Sequence, residues 1–127
     1  MIEQRDLELI TVARDMIKKR YKANRHQVAA ALRTISGNIY CGIHIEVYIG
    51  RITVCGEAIA LGMAATDGDT DIDTIVAVDE TGRIISPCGM CREMIYDYAS
   101  EANVIILVDN KPEKVRISEL LPHKYMQ

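Results

Sequence analysis

Apolar residues first recur at helical spacing. Between residues 3 and 20, Leu7, Ile10, Ala13 or Arg14 and Ile17 fall on one stripe, widened by Leu9, Val12 and Met16. This predicts one amphipathic helix. Tyr21 to His26 is a polar connection. Val28 to Thr34 then reads as a strand, Ser36-Gly37-Asn38 as a hairpin turn, and Ile39 to Val47 as a second strand with the clearest alternation in the chain. Along it Ile39, Cys41, Ile43 and Ile45 share one face, while Tyr40, His44 and Glu46 share the other. After a loop from Tyr48 to Thr53, the apolar, Ala-rich stretch Cys55 to Ala65 predicts a buried helix ending at Thr66-Asp67-Gly68-Asp69.

Ile72 to Asp79 predicts a buried strand, closed by the turn Glu80-Thr81-Gly82. Ser86-Pro87 opens a helix from about Cys88 to Ser100, with proline near its start. Val104 to Val108 is a further buried strand. Asp109-Asn110-Lys111-Pro112 turns into a short strand near Val115 to Ile117, and Ser118 is placed to cap a short helix ending at Pro122. The order α-β-β-α-β-α-β-β-α, with five strands, predicts an α/β fold: a mixed sheet covered on both faces.

At 127 residues the expectation is one domain, 1–127, able to bury a core without staples. A formal charge of -3 and scattered Lys and Arg argue against a nucleic-acid polymer as partner. The run Lys18-Lys19-Arg20 suits the C-terminal end of the first helix, where the dipole favours cations. No apolar run reaches the length of a membrane span, and the charged N-terminus lacks a signal-peptide core, so a cytoplasmic protein with no membrane partner is expected. In a reducing compartment the four cysteines read as ligands or buried thiols rather than disulfides.

Three of those cysteines stand in two short segments, Cys55-Gly56-Glu57 and Pro87-Cys88-Gly89-Met90-Cys91. Both open predicted helices, where unpaired backbone N–H groups and the dipole favour a thiolate. Cys88 and Cys91, three apart, lie on one helix face. Three thiolates select zinc. The competing reading is a structural four-ligand site, with Cys41 as the fourth ligand. Strand alternation puts Cys41 among isoleucines instead, as a core thiol. With three protein ligands one position stays open to water, the catalytic arrangement. Glu57, beside it in an apolar stretch, is the candidate proton carrier. Three thiolates on a divalent ion leave a net negative site. Arg92 or the helix-start N–H groups are expected to withdraw that charge from the sulfurs. Asp67-Gly68-Asp69-Thr70-Asp71 faintly suggests a calcium loop, but Ile72 occupies the required glycine position and Val78 the final glutamate position.

With these residues in hand, the chain resembles the small cytidine deaminase family, blasticidin-S deaminases included. The likeness runs from about His26 to Tyr125. Its anchors are Val28-Ala29-Ala30-Ala31-Leu32, Gly42-Ile43-His44-Ile45-Glu46, Cys55-Gly56-Glu57, Ser86-Pro87-Cys88-Gly89-Met90-Cys91-Arg92 and Leu120-Leu121-Pro122. The resemblance implies a three-layer α/β/α sandwich with a mixed five-stranded sheet, one zinc ion per chain, and a homotetramer with active sites near subunit contacts. It implies that Cys55, Cys88 and Cys91 hold zinc and that Glu57 protonates the pyrimidine ring nitrogen and then the departing ammonia. The Gly56 backbone would meet the pyrimidine carbonyl, and Glu46 a sugar hydroxyl. His44 stands where the family has asparagine and His26 where it has a pocket phenylalanine. Tyr125 takes the place of a C-terminal aromatic that reaches a neighbouring subunit's site. Ala58 replaces a common arginine, and Glu93 the usual glutamine. Three functions follow: deamination of cytidine or deoxycytidine in pyrimidine salvage; deamination of a cytosine nucleoside antibiotic such as blasticidin S; and, from another class, a non-catalytic binding module stabilised by a closed zinc site.

Overall fold

The computed structural model describes residues 1–126. The chain opens with helix α1 (Gln4–Arg20), followed by the hairpin of β1 (Val28–Thr34) and β2 (Ile39–Ile43). Helix α2 (Gly56–Thr66), strand β3 (Ile72–Asp79), the two-residue strand β4 (Ile84–Ile85) and helix α3 (Gly89–Tyr98) come next. The hairpin of β5 (Asn103–Val108) and β6 (Lys111–Arg116) and a 3-10 turn over Ile117–Leu120 complete it. The sheet runs β2-β1-β3-β5-β6, with β3 and β5 parallel and the other neighbours antiparallel. These are the five strands expected. The sixth, β4, pairs with β3 through Ala77 and Val78, and two residues are too few to show a period.

Alternation along the strands feeds two cores. Ala29, Ala31, Val76, Val78 and Ile105 pack against Leu9, Ile10, Ala13 and Ile17 of α1. On the other face Leu32, Ile75 and Val104 pack with Ala60, Leu61 and Ala64 of α2 and Ile95 of α3. This is the three-layer α/β/α arrangement. Alanines at three successive positions of β1 leave room for helices to pack closely on both sides, and all three are fully buried. Each large aliphatic side chain buried here stabilises the fold by about 1.5–3 kcal/mol.

The structure departs from the sequence reading in four places. The α1 stripe is buried as expected at Leu9, Ile10, Ala13 and Ile17, but at its start Leu7 is exposed and Asp6 is fully buried, because Asp6 has ionic partners that Leu7 could not use. Strand β2 ends at Ile43, not Val47; beyond it Ile45 forms a bridge with Val54 instead, closing the base of the 46–53 loop. Strand β6 starts at Lys111, because Asp109 and Asn110 both adopt positive φ and complete a two-residue hairpin turn. Pro112 is tolerated there because β6 is an edge strand. The last helix is a 3-10 turn capped by Arg116 rather than Ser118, with Glu119 accepting the Arg116 N–H at 2.8 Å.

One close approach sets the position of α2. A Cβ on Gly42 of β2 would lie 2.3 Å from the Ala60 nitrogen and 2.6 Å from the Gly56 oxygen. A Cβ on Gly56 would lie 3.2 Å from the Ala30 nitrogen. Bare backbone at both places lets the start of α2 sit directly on the sheet, carrying Cys55 and Glu57 with it.

Candidate active site

Cys55 is the N-cap of α2 and Cys88 the N-cap of α3, both with extended backbone. Their carbonyls accept the first helical bonds, from Ile59 and Arg92. Cys91 follows in the first turn of α3 and is nearly fully buried. The two helix starts meet, and the three Sγ atoms lie within 4.8 Å of one another. Cys55 and Cys88 are 3.7 Å apart. Tetrahedral zinc with bonds of about 2.3 Å requires sulfurs about 3.8 Å apart, so this donor set fits the ion. Among the described residues no fourth ligand joins the group. Cys41 packs instead against the α1-side core, and burial pushes its thiol up to about 11. The closed four-cysteine alternative is therefore not what this sequence builds.

Burial raises the Cys55 and Cys91 thiols above their ordinary range. It also acts on Cys88, but there the backbone N–H groups of Cys91 and Met90 and the neighbouring thiols outweigh it, and Cys88 falls below its usual value. At Cys88 the helix-start N–H groups thus favour the thiolate. Arg92 does not: its Nε donates to Pro87 O at 2.8 Å and its Nη1 to Leu120 O at 3.2 Å. The reason is geometric, because Arg92 follows the buried Cys91 on the helix and reaches the loop and tail rather than the sulfurs.

Glu57 occupies the first turn of α2 and is only 4% exposed. Burial pushes its carboxyl above the usual carboxylate range, opposed only by a bond from its own backbone N–H. A carboxyl raised in this way holds a proton more readily than an exposed one, which suits it to carry a proton. It lines a cavity of about 130 Å³ together with Val28, His44, Cys55, Gly56, Ile85, Ser86 and Cys88. Larger hollows of about 550 and 650 Å³ lie elsewhere on the surface, one beside Arg14 and Arg83, the other beside Tyr40 and Met63. Neither brings thiols together with a buried acid, so size does not locate the chemistry here. The cavity beside the thiols is well below the roughly 300–1,000 Å³ of a typical ligand cleft, and suits one planar ring.

Of the other sequence-predicted residues, Gly56 and His44 line this cavity. Glu46 is not in the lining; it forms a rim with His44, in the loop closed by the Ile45–Val54 bridge. Its Oε1 is 2.9 Å from His44 Nε2, and its Oε2 accepts from Thr53 Oγ1 at 3.1 Å. These bonds hold its carboxyl below the ordinary range, His44 contributing most. His26 does not line the cavity; its Nδ1 donates to the His44 carbonyl at 2.9 Å. Tyr125 lies in the exposed C-terminal tail, away from the cavity lining of this chain. Ile85 in the lining, and Gln27 and Thr53 in the rim network, have no signature of their own in the sequence, whereas Val28 and Ser86 fall within segments that carry the resemblance.

Known proteins match this arrangement. Residues 3–107 fit the family described as the cytidine and deoxycytidylate deaminase zinc-binding region. The chain is 51% identical to a blasticidin-S deaminase of Bacillus cereus, covering 98% of this chain and 94% of that one. It is 33% identical to a cytidine deaminase of Halalkalibacterium halodurans, covering 78% of this chain and 76% of the other. In fold it is similar to the crystal structure of the Mycobacterium leprae cytidine deaminase, with a TM-score of 0.82 at 21% identity, covering 96% of this chain and all of that one. The Mycobacterium tuberculosis cytidine deaminase gives a TM-score of 0.81 at 22% identity, covering 99% of this chain and all of the other. The three-sulfur group suits a zinc-binding region, and the chain belongs to the zinc-binding cytidine and deoxycytidylate deaminase family.

Proposed function

We propose that this protein, acting as one domain, hydrolyses the exocyclic amine of a cytosine nucleoside to give the uracil nucleoside and ammonia. The observation that carries the reading is the juxtaposition of the Cys55, Cys88 and Cys91 sulfurs with a buried Glu57 around a ring-sized cavity. Cys55, Cys88 and Cys91 would hold zinc, which when bound supplies the Lewis acidity that makes water nucleophilic at neutral pH. Glu57 takes the proton released by that water and passes it to the ring nitrogen beside the reacting carbon. Glu57 then takes the proton of the hydroxyl added to the ring carbon and delivers it to the amine, so that the C–N bond breaks, ammonia leaves and the ring gains a carbonyl in its place. The Gly56 backbone, on the cavity wall, is assigned to the pyrimidine carbonyl, and Glu46, at the rim, to the sugar. His44 and His26 support that rim, and Tyr125 is assigned to a neighbouring subunit's site.

Cytidine and deoxycytidine, as substrates in pyrimidine salvage, are the first reading of the sugar. Blasticidin S is the second. It is favoured by the 51% identity to a blasticidin-S deaminase over nearly the whole chain and by Ala58 and His44 at positions where the resemblance led to arginine and asparagine. Assembly as a homotetramer is supported by the exposed apolar residues Tyr48, Ile49 and Ile52, and by an apolar groove lined by Tyr40, Ile59 and Met63. Among the described residues no helix is long and apolar enough to cross a membrane. Four free cysteines support a cytoplasmic site of action. The decisive experiment measures bound zinc, then compares ammonia release from cytidine, deoxycytidine and blasticidin S. One zinc per chain and turnover on at least one of the three is expected. A zinc-loaded protein that releases ammonia from none would overturn the reaction.

A further inference from the structure

His44 has no ring nitrogen to spare for a substrate. The Gln27 backbone N–H donates to His44 Nδ1 at 3.0 Å. A backbone N–H can only donate, so Nδ1 is an acceptor and the ring proton is on Nε2. That Nε2–H points at Glu46 Oε1, 2.9 Å away. The ring itself is nearly buried, 9% exposed, and the backbone around it is fixed on both sides: His44 N donates to Val28 O, and His26 Nδ1 donates to His44 O. Across the loop, the paired Ile45 and Val54 bring Thr53 to the second carboxylate oxygen. Each oxygen of Glu46 thus keeps one donor from the protein and a remaining lone pair for an incoming hydroxyl.

We infer that His44 is a positioning residue: resting on the reading of the site as a nucleoside deaminase, it aims Glu46 at the sugar and makes no polar contact with the substrate itself. The structure thereby divides a task between two side chains. His44, with Thr53, sets the carboxylate's orientation, and Glu46 alone reads the sugar. The site then recognises a hydrogen-bond donor on the sugar, since an ionised carboxylate held by two donors can only accept.

The substitutions His44→Asn and His44→Gln separate this from direct binding. A glutamine amide places its Nε2 donor where the imidazole carries Nε2. An asparagine amide reaches only the place of Nδ1, and so loses the bond to Glu46. On whichever of cytidine and blasticidin S gives the higher kcat/KM, His44→Asn is expected to raise KM about tenfold with kcat within about twofold, the signature of lost binding through a charged hydrogen bond. His44→Gln should stay within about threefold of the unaltered enzyme in KM. In a Glu46→Ala background both His44 substitutions should add less than about twofold, because the coupled partner is gone. An unchanged or improved KM in His44→Asn, or a full penalty persisting without Glu46, would overturn the assignment.

A second measurement is independent of turnover, and its first part needs only the unaltered protein. Ring-nitrogen NMR of the unaltered protein should show His44 with its proton on Nε2, and that resonance should move in Glu46→Gln. A proton on Nδ1 overturns the proposal. If no cytosine nucleoside yields ammonia, the reaction fails as an assignment, while the ring spectrum still decides whether His44 holds Glu46.

Discussion

Two buried ionisable clusters lie in this small fold, and they are built on opposite plans. At the start of α1, Asp6 is fully buried, and it accepts from Arg33 at 2.9 Å, Lys114 at 2.9 Å and the Glu3 backbone N–H at 2.9 Å. Arg33 also donates to Asp73 at 2.7 Å and to the Arg5 carbonyl at 3.1 Å. Every charge there has an opposite charge beside it, and the cluster ties α1 to β1, β3 and β6. In the active site Glu57 has no such partner among the described residues, and two of its three neighbouring thiols are raised by burial. Burial alone therefore does not mark a functional group; burial without compensation does. The first cluster holds the sheet and α1 in place. The second gathers a buried acid and thiols with no cationic side chain beside them among the described residues.

Four substitutions and one pH series break or sharpen this contrast. The largest effect is expected from Cys91→Ala, which removes the buried sulfur: zinc content should fall towards zero and turnover should vanish, read by metal analysis and ammonia release. Next, Glu57→Gln should lower kcat by about 10²–10⁴-fold, the usual contribution of a proton carrier. Zinc should be retained and the melting temperature should stay level or rise, because a buried acid without partners is removed. Retained turnover would show that Glu57 is not the proton carrier.

Asp6→Asn should do the reverse. It should cost about 3 kcal/mol of stability in denaturant unfolding, because it leaves buried cations short of a partner, while kcat changes little. The same cluster sets an acid limit. Burial pushes Asp6 and Asp73 up, but their bonds to the Glu3 N–H, Lys114, Arg33 and Thr74 outweigh it, and both end below their ordinary value of 3.8. Their stabilisation is complete above pH 3.8 and is lost as pH falls through the lower folded-state values. Unfolding followed from pH 5 downwards should show a steep loss below about pH 4 that is shallower in Asp6→Asn. The smallest effect belongs to Arg92→Ala, which frees the Pro87 and Leu120 carbonyls. It should cost about 1–2 kcal/mol of stability and leave zinc affinity nearly unchanged. A large fall in zinc affinity would return Arg92 to the sulfurs.

What could be read from the chain follows the same division. The metal ligands were legible because each lies at a helix start within a short segment, so local spacing fixes their geometry. Helices α2 and α3 and strand β3 were legible because periodicity and flanking turn residues agree. The Asp6 cluster was not, because its members are 27, 40 and 108 positions apart and only the folded sheet brings them together. For the same reason the first turn of α1 was misread, with Leu7 on the buried stripe where Asp6 is, while Leu9, Ile10, Ala13 and Ile17 are buried as expected. The end of β2 was misjudged because alternation continues to Val47 while the backbone leaves the sheet to pair with Val54. That departure creates the rim, where Gln27, His44, Glu46 and Thr53 meet from three separate stretches of chain. Arg92 was misassigned because adjacency to Cys91 in sequence says nothing about the direction in which a long side chain leaves the helix.

The bare contact between Gly42 and Gly56 carries a consequence for how such a catalyst diversifies. One wall of the ring-sized chamber rests on main chain against main chain, a spacing that substitutions elsewhere cannot thicken or thin. Adaptation to a new nucleoside then falls to the other side chains of the lining, Val28, His44, Ile85 and Ser86, while the Gly56 wall stays fixed.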